Sequence, residues 1–124
     1  MNVVDSSGWL EYLGGGPNAK RFAPAIEEAR ELVVPVITLY EVYKRMHQQR
    51  GKDAALDAVA AMMEGRVVDL DGAAALSAAE VALKLGLSMA DSIVLSAART
   101  YGATLWTQDA DFEGIAGVRY VAKR

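Results

Sequence analysis

Short apolar runs alternate with longer segments of helical spacing along most of the chain. The runs are rich in valine and leucine, and they occupy residues 1–5, 32–36, 66–69, 103–106 and 118–121. Runs of this length that end in polar or turn residues are typical of buried strands. Strands joined by helical crossovers pair in parallel. The pattern therefore predicts an α/β fold with a central, mostly parallel five-stranded sheet and helices on both faces.

The first two helical segments differ in how clearly they begin and end. Ser6 or Ser7 is placed to cap a short first helix, and the glycines at 14–16 end it. A second helix is expected over residues 18–30. Pro24 lies too deep in this segment to be a first-turn proline, so the boundary of the second helix is left open.

The third helix has a start signal of its own. Thr38 and Glu41 fit a capping box, in which each side chain accepts a hydrogen bond from the other residue's backbone amide. This predicts a helix from Thr38 to about Arg50. A fourth helix is expected over residues 52–64, with apolar positions repeating at Leu56, Val59 and Met63.

Two further helices lie between the third and fourth predicted strands. In the first, over residues 71–84, Leu76, Glu80 and Leu83 fall near one face, so either that face is only partly buried or Glu80 has a polar partner. In the second, Ser88 is the expected cap. The buried stripe of this helix is formed by Ile93, Val94, Ala97, Ala98 and Tyr101.

Length and composition limit the class of protein. With 124 residues the chain fits a single domain, expected to span residues 1–124. The absence of cysteine excludes a thiolate nucleophile and cysteine-bound zinc. No apolar run approaches the roughly 18 residues of a membrane span and no leader segment is evident, so a cytoplasmic protein without membrane attachment is expected. The net charge of −3 means that any contact with nucleic acid must be local.

Acidic side chains recur where the predicted strands end. Asp5 ends the first run, Glu41 follows the second, Asp109 follows the fourth, and Asp91 lies at the start of the last long helix. In an open parallel sheet, residues at the carboxyl ends of the strands become neighbours. Four neighbouring carboxylates repel one another unless cations are present. Such oxygen ligands suit Mg²⁺ or Mn²⁺, which activate water for phosphodiester hydrolysis.

Three of these acids also have a simpler explanation as helix-capping groups. Asp5 can cap the first helix, Glu41 can complete the box with Thr38, and Asp91 can do the same with Ser88. Capping does not require the acids to lie at one end of the sheet, so their joint placement favours a metal site. The two roles can coexist.

Nearby side chains extend the candidate site. Asp109 is favoured over Asp111 as the acid from the loop after the fourth strand, and whether Asp111 or Glu80 joins the site is left open. Ser6 and Thr107 carry hydroxyls that can orient the carboxylates.

Two basic residues lie beside one of the acids. Lys44 and Arg45 follow Glu41 by three and four residues, so they lie on the same face of its helix. They form either a cationic rim that contacts phosphate or ordinary surface ion pairs.

Four motifs together resemble a known family. They are VVDSS with Asp5, PVITLYEV with Glu41, LSMADSIVLSAA with Asp91, and TLWTQDADFEGI with Thr107 and Asp109. In this order, over the whole chain, they resemble the PIN-domain ribonucleases and, among them, the VapC toxins of VapBC toxin–antitoxin systems. The resemblance implies a PIN-like three-layer α/β/α sandwich.

The resemblance also implies a function. It implies the toxin of a type II toxin–antitoxin pair, which cleaves RNA with Mg²⁺ or Mn²⁺, forms a homodimer and is inhibited by a cognate VapB-like antitoxin. Lys44 and Arg45 are then candidate RNA contacts. The catalytic and metal-binding acids that it implies are Asp5, Glu41, Asp91 and Asp109, supported by Ser6 and Thr107.

Two other classes of function are compatible with the sequence. One is a catalytically silent PIN-like scaffold that only binds a partner. The other is a phosphoreceiver signalling domain, which shares the length, the parallel sheet and the acids that bind Mg²⁺. A phosphoreceiver would need adjacent acids after the first strand, whereas Asp5 is followed by Ser6 and Ser7. This alternative is therefore disfavoured.

Overall fold

The computed structural model describes residues 1–124 and contains five short strands, all paired in parallel. The strands are Asn2–Val4 (β1), Val33–Pro35 (β2), Arg66–Val68 (β3), Thr104–Thr107 (β4) and Val118–Tyr120 (β5). The central strand of one ladder is β4, flanked by β1 and β5, while β2 and β3 form a second ladder. A single parallel bridge between Asn2 and Leu32 joins the two ladders.

The prediction of a parallel α/β fold is confirmed, with one difference in the sheet. The five strands form ladders of three and two strands instead of one continuous ladder. One bridge, between Asn2 and Leu32, is all that connects β1 with the β2–β3 ladder, whereas each of these strands pairs over three residues with its other neighbour.

Six α-helices connect the strands, together with two 3₁₀ turns at Ala29–Glu31 and Ala110–Phe112. The helices are Ser6–Leu13 (α1), Ala19–Glu27 (α2), Val36–Arg50 (α3), Lys52–Met62 (α4), Gly72–Leu85 (α5) and Met89–Thr100 (α6). No single helix is long and apolar enough to cross a membrane, and the one pair that passes together, α5 with α6, is bent by 112°.

Alternation of side chains along the strands produces two hydrophobic cores. Val4 and Val34 point to one face, where α1 to α4 pack. Val3, Val33 and Leu105 point to the other face, which is covered mainly by α6. Successive strand residues project to opposite sides of a sheet, so these two cores give the three-layer arrangement expected from the sequence.

The first helix begins one residue earlier than expected. Its N-cap is Asp5, whose carboxylate accepts a hydrogen bond from the Gly8 amide at 3.0 Å, so the expectation that Ser6 or Ser7 caps α1 is wrong. Aspartate is among the strongest capping residues. A Cβ atom on Gly8 would lie 2.6 Å from a methyl carbon of Val4 and 2.9 Å from Phe22. The absence of a side chain at Gly8 therefore lets α1 pack closely on β1 and α2.

The second helix continues through its proline. Pro24 lies inside α2, which starts at Ala19 and ends at Glu27, three residues before the expected end. An interior proline costs about 3 kcal/mol because it removes a hydrogen bond and crowds the preceding turn. Phe22 and Ile26 are buried in the core, and their packing on the sheet offsets that cost.

The expected start of the third helix is wrong. The helix begins at Val36 with Pro35 as its N-cap, and no side chain caps it. Proline has no N–H to extend a strand ladder, so β2 ends at Pro35 and the two residues after it enter the helix. Thr38 is consequently fully buried in the first turn, and its hydroxyl has no hydrogen-bond partner. Thr38 and Glu41 therefore do not form a capping box.

Of the three apolar positions expected on the fourth helix, Val59 is partly buried and the other two are exposed. Leu56 is 49% exposed and Met63, just beyond α4, is 59% exposed. The buried residues of α4 are Ala55, Ala58 and Met62. Small alanines let α4 approach α3 closely, so the buried face of α4 is rich in alanine. A prediction that looks for large apolar side chains therefore selects the wrong face of this helix.

The fifth and sixth helices follow the sequence more closely. Ser88 caps α6 as predicted, and its hydroxyl accepts a hydrogen bond from the Asp91 amide at 3.4 Å. Of the expected stripe, Val94 and Ala98 are buried and the other three residues are partly buried. On α5, Leu76 and Leu83 are 73% and 83% exposed and Glu80 is exposed as well, so the face that carries them is open to solvent.

Candidate active site

Four elements deliver acidic side chains to the carboxyl edge of the sheet. Asp5 directly follows β1, and Asp109 follows β4 by two residues. Glu41 lies in the second turn of α3, and Asp91 lies in the first turn of α6. The edge outside the carboxyl ends of parallel strands is where α/β proteins place their sites.

Asp5 is the most enclosed of these acids, at 5% exposure. One carboxylate oxygen, Oδ1, accepts hydrogen bonds from the Ser7 hydroxyl at 2.7 Å and the Gly8 amide at 3.0 Å. The other, Oδ2, accepts from the Thr107 hydroxyl at 2.6 Å. Burial raises the pKa of Asp5 and the charge of Asp109 adds to this, while the three hydrogen bonds oppose it.

Two backbone amides hold the hydroxyls that bind Asp5. The Gln108 amide donates to the Ser7 hydroxyl at 3.1 Å, and the Asp109 amide donates to the Thr107 hydroxyl at 2.9 Å. A hydroxyl that accepts from an amide directs its own hydrogen elsewhere, which here is towards Asp5. The loop after β4 therefore fixes the orientation of the carboxylate that follows β1.

Three other acids form a close group beside Asp5. Asp91, Asp109 and Asp111 each present a carboxylate oxygen, and these oxygens lie within 4.8 Å of one another. Asp109 also accepts a hydrogen bond from the Asp111 amide at 2.9 Å, which caps the turn that follows β4. Asp111, left open by the sequence, is thus part of the group. The exposed Glu80 on α5 is not.

The charges of the acids act on one another. Burial and, after it, the charges of Asp109, Asp5 and Asp111 together raise the pKa of Asp91 to about 6, although a hydrogen bond with the Ser88 side chain lowers it. Such mutual effects arise only between groups that are close in space, so Asp91 lies near Asp109, Asp5 and Asp111.

Glu41 belongs to the same electrostatic group. Burial, followed by the charges of Asp91 and Asp5, raises its pKa, while the Ser6 hydroxyl and the Lys44 ammonium lower it. Ser6 therefore lies beside Glu41, and Ser7 is the hydroxyl that bonds to Asp5.

The donor set fits a divalent cation. None of these acids forms an ion pair with lysine or arginine, because the one ion pair in the chain joins the Met1 amino group to Glu31 at 3.5 Å. Clustered carboxylates without paired cations, some of them half-buried, provide the hard oxygen ligands that Mg²⁺ and Mn²⁺ prefer. Asp91, Asp109 and Asp111 have carboxylate oxygens close enough together to hold such an ion, and Asp5 and Glu41 lie within the reach of their charges.

The basic residues lie on an adjoining surface. A cleft of about 280 Å³ next to Glu41 is lined by Ser6, Lys44 and Arg45, among others. Lys44 and Arg45 are exposed. The Lys44 ammonium lies 5.2 Å from the centre of the Tyr40 ring, which is itself 63% exposed. Both cations are therefore accessible from the side on which the acids lie.

One residue of this site, Ser7, was missed in the sequence, and another, Asp111, was left open. Ser7 stands two positions after Asp5, and Asp111 stands two positions after Asp109. A spacing of two allows the Ser7 hydroxyl and the Asp111 amide to bond back to the preceding acid, as in Asx and related turns. That spacing was the available signal, although it also occurs in turns that have no site.

The sequence comparison defines the family. The sequence model of the PIN domain matches residues 3–118, which is most of the 124-residue chain. The chain therefore belongs to the PIN-domain family, and the phosphoreceiver alternative is set aside. Among curated proteins, none matches the chain in sequence.

Solved structures share the fold. A chain of a toxin–antitoxin complex from Klebsiella pneumoniae matches with a TM-score of 0.79 and 21% identity over 96% of each chain. The sarcin-ricin loop cleaving toxin VapC20 of Mycobacterium tuberculosis matches with a TM-score of 0.78 and 20% identity, over 100% of this chain and 99% of that one. A DNA-bound VapBC from Salmonella typhimurium matches with a TM-score of 0.74 and 20% identity over 98% of each chain. At these identities the likeness establishes the PIN-like fold.

Proposed function

We propose that this chain is a metal-dependent endoribonuclease that acts as the VapC-type toxin of a type II toxin–antitoxin pair. The observation that supports it most is the group of acids without paired cations at the carboxyl edge of a PIN domain. Residues 1–124 would form a single such domain. The chemistry is hydrolysis of an RNA phosphodiester bond with water as the nucleophile.

In this proposal four acids hold Mg²⁺ or Mn²⁺: Asp5, Glu41, Asp91 and Asp109. When bound, the metal lowers the pKa of a coordinated water and neutralises charge that develops on phosphate. Asp111 lies close enough to join this set. Thr107 and Ser7 orient Asp5 through hydrogen bonds of 2.6 and 2.7 Å, and Ser6 acts in the same way on Glu41.

Lys44 and Arg45 are proposed to contact the RNA. They border the cleft next to Glu41, and neither is engaged in an ion pair. Cations placed beside a metal site attract phosphate and hold the strand. Because the overall charge is −3, such local cations would provide the attraction that the whole molecule lacks.

The partners follow from the same proposal. The similar structures include toxin–antitoxin complexes and DNA-bound VapBC assemblies, and by analogy this chain would bind a cognate VapB-like antitoxin. We also propose a homodimer. The strongly exposed Leu76 and Leu83 of α5 offer an apolar surface for it.

Metal titration and RNA cleavage test the proposed function. Calorimetry should detect Mn²⁺ binding to the parent protein, and Asp91→Asn should weaken it by about tenfold or more, because a ligand and its charge are lost. Asp57→Asn removes the same charge from an exposed position on α4 and should bind Mn²⁺ as the parent does. Equal affinity in all three proteins would refute the metal site.

The cleavage assay separates an enzyme from a silent scaffold. The parent protein should cut single-stranded or looped RNA with Mg²⁺ or Mn²⁺, and EDTA or Asp91→Asn should abolish the cutting. Activity that survives EDTA contradicts the mechanism. Metal binding without cleavage of any RNA would favour the alternative of a catalytically silent PIN-like scaffold that binds a partner.

A further inference from the structure

A second cleft, of about 470 Å³, is lined by Arg45 but not by Lys44. Its lining also includes Ser6, Gln108 and Lys123. It adjoins the cleft next to Glu41, because Ser6, Leu10 and Arg45 line both. Together the two clefts extend from Glu41 to Lys123.

The position of Lys123 follows from the direction of β5. This strand runs parallel to β4, so the residues that follow it emerge at the carboxyl edge of the sheet, where the acids lie. The Val121 amide donates to the Thr107 carbonyl at 2.8 Å and extends the pairing. The C-terminal tail, residues 121–124, is thus delivered beside the site by the same geometry that gathers the acids.

A buried asparagine holds this tail in place. Asn18 is fully buried, and its amide nitrogen Nδ2 donates to the Ala122 carbonyl at 3.0 Å and to the Gln108 side chain at 3.1 Å. Because Ala122 precedes Lys123, the backbone at Lys123 is fixed while its long side chain is free in solvent.

The charges of the second cleft favour an anionic ligand. Arg45 and Lys123 form no ion pair. Glu11 is the one acidic residue in the lining. Its carboxylate accepts a hydrogen bond from the backbone amide of Asn18 at 2.7 Å. Two exposed cations therefore line a cleft that adjoins the one beside Glu41. Phosphates spaced along a strand suit such a row of cations.

We propose that Arg45 and the tail residue Lys123 form a phosphate-binding arm, which holds the backbone of single-stranded RNA on one side of the scissile bond. This inference rests on the proposed function and extends it, because it gives the substrate a direction across the protein. Lys123 is a binding residue for the strand and has no part in the chemistry at the metal.

A matched pair of substitutions tests the arm. Lys123→Ala should raise KM for a single-stranded RNA by about three- to tenfold with kcat little changed, and it should reduce the salt dependence of binding by about 0.7 in the log–log slope, the value for one phosphate contact on a single strand. Arg124→Ala removes the same charge one residue later, at a position that does not line the cleft, and should match the parent. Lys123→Arg should restore most of the affinity.

Binding is also measured without turnover. Fluorescence anisotropy of a labelled RNA measures its affinity for each variant in EDTA, from about 50 to 300 mM KCl. The variants should rank by affinity in the same order as they rank by KM. If Lys123→Ala and Arg124→Ala behave alike, the arm is refuted while the proposed function stands. If the parent protein neither binds nor cleaves RNA, the proposed function fails and the arm fails with it.

Discussion

Asp5 combines two properties that a sequence presents as alternatives. Its carboxylate caps α1 through the Gly8 amide, and it also lies within the electrostatic reach of Asp109, Asp91 and Glu41. The Gly8 amide and the Ser7 hydroxyl occupy Oδ1, whereas Oδ2 accepts only from Thr107 and keeps a lone pair. The capping explanation was therefore correct for Asp5, and it does not compete with a metal-binding role. For Glu41 the capping explanation was wrong, because α3 starts too early.

Thr107 offers a direct test of how Asp5 is oriented. Thr107→Val keeps the shape of a fully buried side chain but removes the hydroxyl that binds Asp5 and accepts from the Asp109 amide. We expect a loss of about 1 to 3 kcal/mol in the free energy of unfolding and weaker Mn²⁺ binding, since two polar groups lose a partner. Urea unfolding and calorimetry measure the two effects.

The control for this substitution keeps the hydroxyl. Thr107→Ser retains both hydrogen bonds and loses one methyl group, so it should keep most of the metal affinity even if it is slightly less stable. If Thr107→Val binds Mn²⁺ as tightly as the parent does, Thr107 has no positioning role.

The raised pKa of Asp91 makes the stability of the metal-free protein depend on pH. The folded chain holds this proton up to about pH 6, whereas the unfolded chain releases it near its ordinary value of 3.8. The contribution of Asp91 to the free energy of unfolding is therefore fully present below the pKa of the unfolded chain, 3.8, and is lost as the pH rises through the pKa of the folded chain, about 6. Burial and neighbouring charges raise the pKa of Asp5 and Glu41 in the same direction.

Thermal unfolding in EDTA checks this dependence. The Tm of Asp91→Asn should be close to that of the parent at about pH 4.5 and higher than that of the parent at about pH 7.5. Added Mn²⁺ should raise the Tm of the parent more at the higher pH, because protons no longer compete for the ligands. A difference between the two proteins that does not change with pH would show that Asp91 titrates normally.

Helix types and order were predictable from the sequence, whereas boundaries and faces were less so. Apolar spacing identified all six helices, and Ser88 was a correct start signal. The start of α3 was missed because Val36 and Ile37 favour strands locally, while Pro35 ends the ladder. The buried face of α4 was missed because close approach of two helices favours Ala55 and Ala58 over larger neighbours. Both errors arise from tertiary packing that overrides local preference.

Close packing of α1 can be tested with two glycines in first helical turns. Gly8→Ala would place a methyl group against Val4 and Phe22, and we expect it to lower the free energy of unfolding by about 1 to 3 kcal/mol through overpacking. Gly72→Ala at the start of α5 meets nothing within 4 Å and should be neutral or slightly stabilising. Urea titrations measure both. Equal effects would mean that α1 shifts easily on the sheet.

For the whole molecule, the alternation of apolar runs with helical segments predicted the parallel sheet. The sheet's carboxyl edge in turn predicted that acids far apart in sequence lie close together. It did not predict the division into two ladders, which depends on how many hydrogen bonds very short strands form. The path of the C-terminal tail was equally hidden, because Asn18 gives no sign in the sequence that it bonds to residue 122.

The prediction of a dimer rests on the exposed face of α5, where Leu76 and Leu83 lie. Sedimentation at micromolar concentration should show a dimer for the parent protein, and Leu76→Glu with Leu83→Glu should convert it to a monomer, because charges at a buried apolar contact are unfavourable. Leu56→Glu with Met63→Glu makes the same change on the other helical layer, where exposure is lower, and should leave the dimer intact. A monomeric parent would remove the homodimer without affecting the metal chemistry.

The tail held by Asn18 also affects how the protein can be handled in the laboratory. Any polypeptide fused after Arg124 starts two residues beyond Lys123, beside the cleft and on the same edge as the acids. A purification tag there would crowd the strand's path, and a polyhistidine tag would bring competing metal ligands to it. Because β1 runs in the same direction as β5, a fusion before Met1 leaves from the opposite edge. Amino-terminal tags are therefore the appropriate choice for every assay described above.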